Sequence, residues 1–173
     1  MKIPSSRRTF LKQASGGLII AACLPEVSRA TAARGFDPNA YIHIAPDNTV
    51  ALWMVRSEMG QGVRTTLAVL LAEELEVDPA KVRLEQAMPG PRFDHIRLRT
   101  SGSGSSSETF LVLRKAGAAA REMLIAAAAG KWGVEASSCR AESGSVIHTA
   151  SGRRFTYGEL AEAAAAQEIP KNP

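Results

Sequence analysis

Two glycines bracket a single glutamine at Gly60-Gln61-Gly62, where one backbone rhythm gives way to another. Before them Val50–Val55 reads as a strand; after them the apolar residues of Val63–Leu75 recur every 3.6 residues, as on a helix. A strand must therefore turn into a helix through Arg56-Ser57-Glu58-Met59-Gly60-Gln61-Gly62. Glycine admits positive φ and lets a ligand approach the main chain without meeting a Cβ. Successive N–H groups in such a turn form a concavity for an anion, and the following helix N-terminus adds partial positive charge. The Gln61 amide can both donate and accept hydrogen bonds. The loop reads as a seat for something polar and anionic; the plainer reading is a glycine-rich turn with no ligand.

At 173 residues the chain has room for one ordinary domain. Its start, Ser6-Arg7-Arg8-Thr9-Phe10-Leu11-Lys12, is followed by an apolar run from Ala14 to Leu24 and by Ala30-Thr31-Ala32-Ala33. A basic region, a short apolar core and a small-residue exit make an export signal, too short to span a membrane comfortably. The arginine pair gives it the twin-arginine form, which predicts passage through the twin-arginine machinery to a periplasmic or membrane-associated location. Ile20-Ala21-Ala22-Cys23 offers a competing lipoprotein site, with Cys23 lipidated.

The leader holds five basic residues (Lys2, Arg7, Arg8, Lys12, Arg29) against Glu26 alone, so without residues 1–32 the formal charge of +4 falls to zero. A neutral chain gives no electrostatic case for nucleic acid. Cleavage after Ala32 also leaves Cys139 without a second cysteine, which excludes an intramolecular disulfide.

Tyr41–Ala45 and Thr49–Met54 read as a hairpin around Pro46-Asp47-Asn48. The helix Val63–Leu75 buries Val63, Leu67, Leu70, Leu71 and Leu75, with Glu73, Glu74 and Glu76 on a solvated face. Asp78-Pro79 stops it, and Val82–Gln86 supplies another strand. The irregular stretch Ala87–Ser105 leads into a long helix to Trp132, for which Ser105 and Glu108 form a capping box. That helix is so rich in small residues, notably Ala116–Ala120, that close packing on several sides is expected. Arg140–Glu142 and Val146–Thr149 flank a Ser143-Gly144 turn, and Thr156-Tyr157-Gly158-Glu159 opens a last helix to about Gln167.

A second loop, Thr100-Ser101-Gly102-Ser103-Gly104-Ser105, thus also feeds a helix N-terminus and adds hydroxyls to it. Neither loop is a P-loop, and neither is a dinucleotide fingerprint. Two such loops in one small unit suggest a large anionic cofactor gripped from two sides.

Ser57–Thr66 with Ala72-Glu73-Glu74-Leu75 resembles the E-M-G-Q-G segment of molybdenum hydroxylase large subunits, the xanthine dehydrogenase and aldehyde oxidase family. Thr100–Ser105 with Leu113–Arg121 resembles that family's second cofactor loop and its helix, although Ser101-Gly102 and Gly104 depart from the usual T-G-G-S-T form. Within that family the chain resembles the exported isoquinoline 1-oxidoreductase β-subunit type. The resemblance implies a molybdopterin cofactor with molybdenum, in its cytosine dinucleotide or a related form, with Met59, Gly60, Gln61 and Gly62 holding the pterin and its phosphate on one side and Gln61 hydrogen-bonding the cofactor. Gly102, Ser103 and Ser105 match the positions on the other side. It implies hydroxylation of N-heterocycles or aldehydes with water-derived oxygen, and electron transfer to iron–sulfur clusters on a separate small subunit.

The family's catalytic base is a glutamate near the far end of a much longer chain, and nothing here matches it. No catalytic residue and no metal ligand is therefore assigned, Glu58 included. The chain is expected to be the N-terminal part of a large subunit, inactive alone, with the rest of that subunit as a partner. Residues 1–32 would be the leader, 33–40 a linker and 41–173 part of the cofactor domain. The fold class is α+β, short antiparallel hairpins with helices. His43, His95 and His148 lack metal-ligand spacing and read as surface or loop residues. Cys139 reads as a small buried residue, and Trp53 and Trp132 as core. The alternative from another class is a small exported binding or scaffold module without catalysis of its own.

Overall fold

The computed structural model describes residues 18–21, 40–91, 93–94 and 96–173. The arginine pair, Cys23, the Ala30–Ala33 exit, linker residues 33–39 and His95 lie outside the described residues. The described chain is α+β. One sheet holds β1 (Leu18–Ala21), β2 (Ala40–Ile44), β3 (Val50–Met54) and β4 (Val82–Gln86) in that order. A second holds β5 (Cys139–Glu142), β6 (Ser145–His148) and β7 (Arg154–Thr156). Three helices pack with them: α1 (Val63–Leu75), α2 (Ser105–Trp132) and α3 (Tyr157–Ala165).

β2 and β3 form the expected antiparallel hairpin, with Ile42 opposite Leu52 and Ile44 opposite Val50. Asn48 takes the left-handed conformation in its turn, which asparagine tolerates better than most residues. The two-residue period of a strand then sends Ile42, Ile44, Val50, Leu52 and Met54 into the core. On the other face His43 stands edge-on to a half-buried Trp53. Both expectations for these residues need correction: His43 is a half-buried strand residue, and Trp53 lines the rim of the core instead of its centre.

β4 corrects the expectation of hairpins alone. It runs parallel to β3, from Val50 opposite Val82 to Met54 opposite Gln86. Parallel neighbours need a crossover, and α1 supplies it. α1 has the predicted bounds and buries Val63, Leu67, Leu71 and Leu75, joined by Ala68 and Ala72. Leu70, also expected inside, is half-buried. The helix closes on Glu76 in the left-handed conformation, and Asp78 caps the short turn Pro79–Lys81 beyond it.

α2 also has its predicted bounds, and Ala116–Ala120 are buried without a break, as close packing on several sides requires. α1 crosses at Gly117, where an added Cβ would stand 2.7 Å from the Cβ of Glu74. Glu74 is not on a solvated face. Its carboxylate is largely buried and pairs with Arg114 at 2.5 Å and Arg121 at 3.5 Å, both from α2.

The β5–β6 hairpin turns at Ser143-Gly144, both at positive φ, as a two-residue hairpin turn demands. Thr156 and Glu159 form the predicted capping box of α3. Phe155 of β7, a strand that the sequence did not announce, stacks on a half-buried Trp132 at 4.9 Å. Cys139 is buried, as expected. His148, expected on the surface or in a loop, closes β6 half-buried, its ring tilted against Trp132.

Candidate cofactor-binding site

One buried residue, Arg56, holds the two glycine loops together. Arg56 lies two residues beyond the end of β3 and is only 5% exposed. Its guanidinium donates to the carbonyls of Val55 and Arg97 and to the Glu108 carboxylate at 2.7 Å. Burying a guanidinium is unfavourable unless its donors are paired, and here the partners come from the residue just before the first loop, the stretch that leads into the second, and the first turn of α2. Nε alone has none among the described residues. Beside it the Ser57 N–H donates to Thr100 Oγ1 at 2.7 Å, and that hydroxyl donates back to the Ser57 carbonyl. The two loops are therefore tied at their bases. Burial raises the pKa of the nearby Tyr41 phenol, and the Arg56 charge opposes that rise.

Within the first loop Gly60 and Gly62 have φ of 91° and 82°, values costly for any residue with a side chain. The anion concavity expected here exists, and the chain fills it itself. Glu58 Oε1 accepts the N–H groups of Gly60 at 2.7 Å and Gly62 at 3.0 Å, and Oε2 accepts that of Arg64 at 3.0 Å. These bonds, that of Arg64 foremost, hold the Glu58 carboxyl below the usual glutamate range. Gln61 closes the loop from the other side: Oε1 accepts the Met59 N–H at 2.6 Å, and Nε2 donates to the Ser57 carbonyl at 3.0 Å. Among the described residues one amide hydrogen and one lone pair of Gln61 have no partner and can serve a ligand.

The second loop carries Gly102 and Ser103 in the left-handed conformation. The predicted capping box of Ser105 and Glu108 is absent. Ser105 is the first helical residue, Gly104 is the N-cap, and no side chain caps the helix. The cause is Arg56, whose guanidinium draws the Glu108 carboxylate away from the backbone and across Gly104. A Cβ on Gly104 would stand 2.5 Å from that carboxylate.

Met59, Gly60, Gln61, Gly62, Gly102 and Ser103 are exposed, and Ser105 is half-exposed. No hydrogen bond joins these candidates across the two loops among the described residues; Arg56, Thr100 and Glu108 do the joining. Sequence reasoning gave Arg56 and Thr100 no role beyond their place in the loops, and gave Glu108 that of a capping residue. The available signal was an arginine closing an apolar strand directly before a glycine loop. Nothing stands within 4 Å of the place a Cβ would take on Gly60, Gly62 or Gly102. The main chain is open to a ligand there, and the uncapped start of α2 offers it N–H donors. Next to the first loop a groove of about 670 Å³ runs between α1 and β4, past Arg64, Ala68, Val82 and Leu84.

The molybdopterin cofactor-binding domain family matches residues 4–172. This chain belongs to that family. The kinship with molybdenum hydroxylases expected from the two loops thus holds. The domain is 33% identical over 179 residues to isoquinoline 1-oxidoreductase subunit beta of Brevundimonas diminuta, covering 96% of this chain and 22% of that protein. It is 34% identical over 125 residues to the membrane-bound aldehyde dehydrogenase [pyrroloquinoline-quinone] of Gluconacetobacter polyoxogenes, covering 72% of this chain and 16% of that one. Among solved structures, reconstituted CO dehydrogenase from Oligotropha carboxidovorans shares the fold, with a TM-score of 0.57 at 20% identity over 85% of this chain and 18% of that chain. The domain therefore spans about a fifth of the length of the proteins it resembles.

Proposed function

We propose that this domain grips a molybdopterin cofactor between its two glycine loops, as part of an exported molybdenum hydroxylase large subunit. The observation that carries the reading is the tie through Arg56 and Thr100, which fixes two open, glycine-lined loops at one end of the fold. Met59–Gly62 would meet the cofactor on one side, with the free donor and acceptor of Gln61 orienting it. Gly102, Ser103 and Ser105 would meet it on the other, where the α2 N-terminus favours a phosphate. When bound, the cofactor supplies the redox chemistry that transfers water-derived oxygen to a carbon beside a ring nitrogen or to an aldehyde carbon. The domain's own residues bind and orient; the acid–base group belongs to the rest of the subunit. A cytosine dinucleotide form, an iron–sulfur partner subunit, and a twin-arginine leader directing the protein to the periplasm or its membrane complete the proposal.

The test is to purify the native protein with an antibody against residues 108–132 and measure its size, molybdenum, and the nucleotide released by acid. A band several times the size of this chain, with about one molybdenum per molecule and cytidine monophosphate released, is expected. A band without metal or pterin would overturn the reading in favour of a scaffold module.

A further inference from the structure

The first loop's concavity is built for an anion and already holds one. Glu58 accepts three backbone N–H bonds, from Gly60, Gly62 and Arg64. A fourth N–H, that of Met59, is taken by Gln61. Arg64 lies in the first turn of α1, so the same carboxylate also faces the positive end of that helix. We propose that Glu58 is a positioning residue that stays seated with the cofactor bound as without it. It fixes Gly60–Gly62 in shape for Gln61 and closes that concavity to the cofactor's phosphate.

Two observations argue for a permanent seat. Freeing the carboxylate would strip three charge-assisted bonds at once, and such bonds are about twice as strong as neutral ones. A phosphate brought beside the seated carboxylate would meet a like charge within a few ångström, which is unfavourable even in water. The N–H groups of Gly60, Gly62 and Arg64 are therefore not the ones that hold the cofactor's phosphate. This inference rests on the proposed function for its cofactor half only; the seat of Glu58 stands on the loop geometry.

Hydrogen exchange across residues 57–64, in the full-length protein with its partner subunit and produced with and without molybdenum, reads the seat directly. Equal protection in both forms is expected. Glu58→Ala should exchange about tenfold faster there in the cofactor-free form and should lose about tenfold or more of its molybdenum and pterin. Glu58→Gln, which can keep the bonds from Gly60 and Gly62 but cannot accept from Arg64, should fall between.

Protection that appears only on cofactor loading would overturn the proposal, as would a Glu58→Ala protein with full cofactor content. If Glu58→Ala does not fold, the wild-type comparison and Glu58→Gln decide. A wild-type protein without molybdenum or pterin would refute the proposed function, and the exchange comparison would still settle Glu58.

Discussion

At Arg56 a guanidinium is carried into the interior and shared between two loops and a helix. Lysine keeps the charge but lacks the planar fork, so it cannot serve Val55, Arg97 and Glu108 together. Arg56→Lys should cost about 1–3 kcal/mol by leaving buried carbonyls unpaired, read as a lower urea midpoint with unchanged slope. An unchanged midpoint would mean that the tie between the loops is worth no more than a surface ion pair. Glu58 sets a pH dependence. Its folded pKa is depressed, so its contribution is present above the unfolded value, near 4.5, and is lost as pH falls through the folded one. Stability should therefore drop in acid below the ordinary glutamate range, and the drop should shrink in Glu58→Gln.

Among the elements, the crossing of α1 and α2 leaves no room at Gly117, whereas Gly130 on the same helix has open space around it. Gly117→Val should cost about 1–3 kcal/mol through overpacking. Gly130→Ala should add up to about 1 kcal/mol, since alanine is the better helix former. Thermal melts of the two variants should move in opposite directions. The bounds of α1 and α2 were legible in the sequence because apolar periodicity and stop signals are local. The Ser143-Gly144 turn and the Thr156 capping box were legible for the same reason. The parallel pairing of β4 was not, because the order of strands is set by tertiary packing, nor was β7, whose three residues are too few to show a period. At the site, the glycines of both loops announced themselves through their backbone freedom. The partnership of Arg56 with Glu108, 52 residues away, had no local signature. Glu58 was visible, but its bonds to three N–H groups depend on how the loop folds back.

Over the whole molecule, the C-terminal unit is locked to the end of α1 and to the β2–β3 turn by a few long-range bonds. The Tyr157 hydroxyl donates at 2.5 Å to the carbonyl of Leu75, which a helix end leaves without an intrahelical partner. Gly144 donates to the Glu76 carbonyl and Gly158 to the Asn48 side chain. Tyr157→Phe should therefore cost about 1–2 kcal/mol, and hydrogen exchange should show the 75–77 and 144–158 segments loosening together.

The central claim is that both loops close on one cofactor. A density map of the full-length protein, purified without added cofactor, tests it most directly. The account predicts pterin density between the loops, within hydrogen-bond distance of Gln61 and of Ser103 or Ser105, with Glu58 still on its three N–H groups. A pterin seated elsewhere, with both loops turned to solvent or to protein, would contradict it.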